Sequence, residues 1–185
     1  MDAGLAAVCG ALVGASGAVG AAWATSRAQW KGVRLAAKAE HLRQRRESRT
    51  LNYRALISVA TDLIDRINRQ PLVPGWTLLR ITDEYADESY ELVKILRMTL
   101  VDVLLAGPKE VSESAQKLMD GAHLTVSSVA ALNGLRFLHL QEGVVTEEEV
   151  APCFAELRRG KSEMATALAK FSVLARDALD NDGTS

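Results

Sequence analysis

Cysteine is nearly absent. Cys9 and Cys153 are the only two, too few for a disulfide framework or, on their own, for a structural zinc site. Cys9 lies in an apolar run and Cys153 in a predicted helix far from it, so each reads as a small buried residue. No basic stretch precedes Cys9, which argues against an acylated lipoprotein. Proline is also scarce, four in 185 residues, and all four lie beyond residue 70. Of thirteen glycines, six (Gly4, Gly10, Gly14, Gly17, Gly20 and Gly32) fall in the first 32 positions, so the remaining chain has few breakers and suits long helices. No segment alternates apolar and polar residues with β-branched side chains, and Ala, Leu, Glu, Arg and Lys dominate, which excludes a sheet-built fold.

A net charge of −1 hides an asymmetry. Residues 3–26 carry no ionisable group except Cys9. Residues 27–54 carry nine Lys/Arg against two Glu, and residues 55–185 carry thirteen Lys/Arg against twenty Asp/Glu. The 3–23 run, rich in Ala and Gly, is as long as a membrane-spanning helix: at ~1.5 Å per residue it reaches roughly 30 Å. Trp23 stands at its end and Trp30 two turns further, where an interfacial aromatic belt belongs. Arg27, Lys31, Arg34 and Lys38 follow at spacings that share one helical face, from which their charges can reach anionic headgroups. With Asp2 the only charged side chain before the run, the positive-inside rule places the N-terminus outside and the rest in the cytoplasm, at the inner (plasma) membrane. Two rival readings remain. Ala22-Trp23-Ala24 fits a signal-peptide cleavage pattern, although the acidic start and the basic stretch after it oppose export. A soluble Ala-rich helix is the other. Gly10, Gly14 and Gly17 form a small-residue stripe on which two such helices could associate, as a homo-oligomer would require.

The remainder reads as helices. Residues 27–52 form a basic stalk. From Tyr53 a core stripe begins with Leu56, Ile57, Ala60, Leu63, Ile64 and Ile67. Pro71 ends that helix, Pro74-Gly75 makes a turn, and the apolar linker around them (Leu72, Val73, Trp76, Leu78, Leu79, Ile81) reads as a lid on one end of a bundle. The second helix starts near Thr82 with Tyr85, Ser89, Leu92, Leu96, Thr99 and Val103 inward. It ends at Gly107-Pro108, where glycine is expected in a left-handed cap and proline in the first turn of the next helix. The third carries Val111, Ala115, Leu118, Ala122, Val126 and Val129, with a bend expected near Gly134. Thr146 and Glu149 form a capping box. The fourth repeats Val150, Leu157, Met164, Phe171 and Ala178 at sevens, a coiled-coil-like heptad seam with Lys161 as its one charge. The expected fold is therefore all-α: a transmembrane anchor (1–26), the stalk (27–52), an antiparallel bundle of about four helices (53–180) and a disordered tail (181–185).

Chemistry is hard to find. The three histidines, His41, His123 and His139, fall in no Glu-x-x-His pair of the kind a di-iron bundle needs. Asp83, Glu84, Asp87, Glu88 and Glu91 share a helical side with no base between 81 and 93, which reads as a solvated face or a complement to the stalk. No phosphate loop, nucleophile elbow or dinucleotide fingerprint occurs. The Arg43, Arg45, Arg46, Arg49 and Arg54 cluster lacks the readers of a nucleic-acid binder and, beside an apolar run, fits lipid headgroups better.

The Ala/Gly run, trailing Trp, basic helix and the hairpin Val-Asp-Val-Leu-Leu-Ala-Gly-Pro-Lys-Glu-Val at 101–111, followed by a small-residue helix, resemble small membrane-anchored helical proteins of unknown function that are abundant in actinobacteria such as streptomycetes. The resemblance covers most of the chain and implies no catalytic residue. The expectation is a non-enzymatic, single-pass scaffold or interaction module on an anionic bilayer, without cofactor, metal or nucleic acid and with an unidentified protein partner. A soluble or peripheral helical adaptor and a membrane-perturbing oligomeric effector are the alternatives.

Overall fold

The computed structural model describes the backbone of residues 2–69, 81–143 and 145–181, and the side chains among them from Thr25 onward apart from Ala28 and Glu142. Trp23, Cys9 and the Gly10, Gly14, Gly17 stripe are outside the described side chains. The apolar linker before Ile81, the Pro71 and Pro74-Gly75 signals and the tail after Asn181 are outside the described residues. Four helices are present among the described residues: α1 (Asp2–Arg69), α2 (Asp83–Ala106), α3 (Lys109–Glu142) and α4 (Glu147–Asn181). No strand occurs among the described residues. The chain divides into two compact units, Met1–Arg45 and Arg46–Ser185, and α1 contributes to both.

Local chemistry sets the helix ends. Thr82 caps α2, its hydroxyl accepting the Tyr85 N–H at 3.1 Å, and Asp83 and Glu84 sit at the positive end of the helix dipole. Gly107 does not take the expected left-handed conformation: its φ is −89° and ψ 159°. What the position requires is space. The Gly107 N–H closes α2 on the Val103 carbonyl at 2.8 Å, and a Cβ at Gly107 would lie 2.8 Å from that oxygen. Pro108 is the N-cap of α3 rather than its first turn, and its carbonyl accepts the Ser112 N–H at 3.0 Å. The left-handed cap occurs instead at Gly143, φ 69°, bonded to the His139 carbonyl. The capping box of α4 forms as the spacing demands: Glu149 accepts the Thr146 N–H at 2.9 Å, and its own N–H reaches the Thr146 hydroxyl at 3.4 Å.

In the second unit the helices pack as an antiparallel ring. α1 meets α2 through Arg66 with Glu88 at one end and Arg49 with Ala106 at the other. α2 meets α3 through Asp83 with Arg136. α1 meets α4 where the Tyr53 and Phe171 rings touch edge-on, centroids 5.7 Å apart. Tyr53, Leu56, Ala60, Leu63 and Ile67 of α1, all six expected inward residues of α3, and Val150, Leu157, Met164 and Phe171 of α4 are buried. Each large side chain among them contributes about 1.5–3 kcal/mol by leaving water. On α2 the expected Tyr85, Ser89, Leu96 and Val103 are buried, but two inward positions differ from expectation. Val93 and Leu100 are buried, while Leu92 and Thr99 are half-buried. Adjacent apolar residues made either phase plausible to a periodicity argument. Lys161 and Ala178 are half-buried at the edge of the α4 seam.

α3 and α4 approach most closely through two glycines. A Cβ on Gly121 would stand 2.8 Å from the Met164 backbone nitrogen, and one on Gly160 2.9 Å from that of Thr125. Thr125, fully buried there, satisfies its hydroxyl on the Gly121 carbonyl at 2.7 Å.

Candidate interaction surfaces

In the described part of the first unit, α1 is a bare helix. From Thr25 to Lys38 every described side chain is exposed. Arg27, Trp30, Lys31 and Arg34 fall together, with Ser26, along one shallow groove of about 450 Å³, because positions three and four apart adjoin on a helix. Trp30 is 67% exposed, and Val33 and Leu35 are similarly open. Lys38, also exposed, continues the row. Large apolar side chains are thus interleaved with cations along this exposed part of α1.

Packing begins before Tyr53. Arg49 is only 5% exposed, its Nε donating to the Ala106 carbonyl at 2.6 Å, and the Asn52 amide reaches the Asp102 carbonyl at 3.4 Å. Arg46 pairs loosely with Asp180 at 3.9 Å. These residues belong to the second compact unit, although their charge alone grouped them with the stalk.

The acidic face of α2 is partly committed to holding the ring together. Asp83 accepts from Asn133 at 2.8 Å and from Arg136 at 3.0 Å. The Asn133 hydrogen bond, followed by the Arg136 charge, lowers its carboxyl below the usual range despite some desolvation. Glu88 pairs with Arg66, whose guanidinium lies 4.8 Å over the Tyr85 ring. Burial raises the Tyr85 phenol, against the pull of Arg66. Glu91 holds Lys94 at 3.1 Å. Glu84 and Asp87 are exposed.

Periodicity did not single out the continuation of this outward face toward the C-terminus of α2. Tyr90, Met98, Val101, Leu104 and Leu105 are all exposed, Leu105 by 82% and Met98 by 57%. Tyr90, Lys94, Met98, Val101 and Leu105 step by four, four, three and four along one outward stripe with Leu104 beside it, more contiguous apolar surface than scattered surface residues provide. The signal was present in the sequence as a helix apolar on two sides. A smaller patch, Phe137, Leu138 and Leu140, lies at the end of α3.

His41 and His123 are exposed. His139 is half-buried, and its Nδ1 has no hydrogen-bond partner among the described residues. Among the described residues no three His, Cys, Asp or Glu side chains gather as metal ligands, and Cys153 is a free, half-buried thiol. Among the described residues no helix is long and apolar enough to cross a membrane; the 3–23 run, where the span is expected, is outside the described side chains. No protein-family model, curated protein or solved structure matches the chain.

Proposed function

We propose that this protein is a single-pass, membrane-anchored helical interaction module without enzymatic activity. Residues 3–23 span the inner membrane, with the N-terminus outside. The helix beyond them rests its cations on anionic headgroups, and the ring of helices from Arg46 onward faces the cytoplasm. The observation that carries this reading is the uncovered helix following the uncharged run: Trp30, Val33 and Leu35 stand in the open beside Arg27, Lys31, Arg34 and Lys38, an arrangement a lipid interface stabilises and water does not. Gly10, Gly14 and Gly17 give the span a face for self-association.

The partner side of the module is the outer stripe of α2. Its C-terminal half is apolar (Met98, Val101, Leu105) and its N-terminal half exposes Glu84 and Asp87. The occupant that fits is an amphipathic helix of a partner protein, with an apolar face for the first half and a cationic end for the second.

Alkaline carbonate extraction of membranes from cells expressing the full chain tests the anchor. Retention in the pellet supports a spanning segment, whereas release by salt alone replaces this reading with the peripheral adaptor.

A further inference from the structure

We propose that the cleft between α3 and α4 binds a small zwitterion, with an oxyanion (phosphate or carboxylate) at one end and a primary ammonium at the other. The cleft has a volume of about 440 Å³ and is lined by Ser114, Lys117 and Asp120 of α3 and by residues 162–170 of α4, among them Ser162, Glu163 and Lys170.

The register of the two helices sorts these groups by charge. Gly121 lies against Met164, and Gly160 against Thr125, so antiparallel pairing brings Lys170 to the level of Ser114 and Lys117. The same pairing brings Ser162 and Glu163 to the level just beyond Asp120. At ~1.5 Å per residue the cationic and acidic ends are offset by about 8 Å.

The two ends differ in what they still lack. Lys117 and Lys170 have no carboxylate within salt-bridge distance among the described residues. Beside them Ser114 is 3% exposed, and its buried hydroxyl has no hydrogen-bond partner among the described residues. A buried hydroxyl without an acceptor is unfavourable, and an anionic oxygen seated between the two ammonium groups would supply that acceptor once the hydroxyl turns toward the cleft. At the far end Asp120 accepts from Gln116 at 3.2 Å and Glu163 from Arg159 at 2.8 Å. Each carboxylate uses one oxygen, which leaves the other free for an ammonium. A simple anion would satisfy the lysine end and be repelled by the acidic end. A zwitterion satisfies both.

O-Phosphoethanolamine is a suitable probe, titrated calorimetrically into the full chain in detergent micelles, with inorganic phosphate and ethanolamine as separate controls. Saturable binding with Kd of about 1 mM or tighter is expected, at least tenfold tighter than either control. The pairs Lys117→Gln with Lys170→Gln and Asp120→Asn with Glu163→Gln should each weaken it at least tenfold. Ser114→Ala should weaken it too without lowering the melting temperature, since it removes an unpaired hydroxyl, and both charge pairs should leave the melting temperature unchanged. Competition by phosphatidylethanolamine vesicles would mark a lipid headgroup as the source, and its absence a free metabolite. Phosphate binding as tightly as the probe, affinity indifferent to Ser114→Ala and both charge pairs, or no saturation up to ~10 mM overturns the proposal.

Discussion

Arg49 of α1 closes the C-terminus of α2: its Nε donates to the Ala106 carbonyl at 2.6 Å. The last turn of α2 contains no basic residue of its own, and its terminal carbonyls carry the negative end of the helix dipole. A guanidinium delivered from the neighbouring helix meets both needs, and at 5% exposure it does so largely out of water. Arg49→Ala should therefore destabilise the bundle by about 1.5–3 kcal/mol, the scale of a charge-assisted hydrogen bond lost with its half-buried acceptor left unpaired. The exposed neighbour Arg45 changed to Ala is the control, with little effect expected. Urea unfolding followed by circular dichroism measures both, and equal midpoints for the two variants would show that Arg49 is no different from its exposed neighbours.

The same residue shows where sequence reasoning ends. Helix number, the capping box at Thr146 and Glu149, and the core stripes of α1, α3 and α4 were legible because each depends on local spacing. Arg49 was not, since nothing in the run of arginines from 43 to 54 says which one turns inward. That depends on where the C-terminus of α2 falls in space. The outer stripe of α2 escaped for a related reason: a helix apolar on two sides has no single phase to read. The cleft between α3 and α4 requires the register set by Gly121 and Gly160, a long-range relationship. The span expected at residues 3–23 lies outside the described side chains.

Gly134 of α3 should respond to alanine with the opposite sign from Gly121 of α3 and Gly160 of α4. Gly134 has nothing within 4 Å of its would-be Cβ, so Gly134→Ala gains helix propensity and should stabilise by about 1 kcal/mol. Gly160→Ala makes the same gain but drives a methyl group to 2.9 Å from the Thr125 backbone nitrogen. Overpacking of this kind costs about 1–3 kcal/mol, so the net effect should be a loss, as it should be for Gly121→Ala. Thermal melts of Gly134→Ala and Gly160→Ala moving in the same upward direction would mean that α3 and α4 are less closely apposed.

Asp83 gives the bundle a pH dependence whose sign can be worked out. Its carboxyl is held below the ordinary value of 3.8 in the folded state by Asn133 and then Arg136. A carboxylate with a depressed folded value stabilises the fold above its unfolded value and loses that contribution as pH falls through the folded one. The effect is small because the side chain is largely exposed. Asp83→Asn should be less stable than the parent at neutral pH, and the difference should shrink as pH drops below about 4. A difference between the two melting curves that stays constant from neutral to acid pH would remove the Asp83–Arg136 pair from the account of stability.

Orientation in the membrane is the most direct test of the proposed function, because it depends on charges that stand exposed along α1 before the bundle begins. Arg27, Lys31, Arg34 and Lys38 are exposed, so exchanging all four for Gln should leave the bundle intact and alter only its relation to the bilayer. Each cation near an anionic surface is worth about 1 kcal/mol, and positive charge flanking a span retains that flank in the cytoplasm. The 3–23 run is rich in Ala and Gly, so under the proposed function its insertion would have little hydrophobic free energy to spare, which makes the flanking charges more decisive. A reporter active only in the cytoplasm, fused after Ser185, should be active in the membrane fraction of the parent. In the fourfold variant it should lose activity through mixed orientation, or follow the protein into the soluble fraction. A mature protein beginning near Thr25 would instead identify residues 1–24 as a cleaved signal. Unchanged location and activity after the fourfold exchange would show that these cations have no part in holding the protein at the membrane.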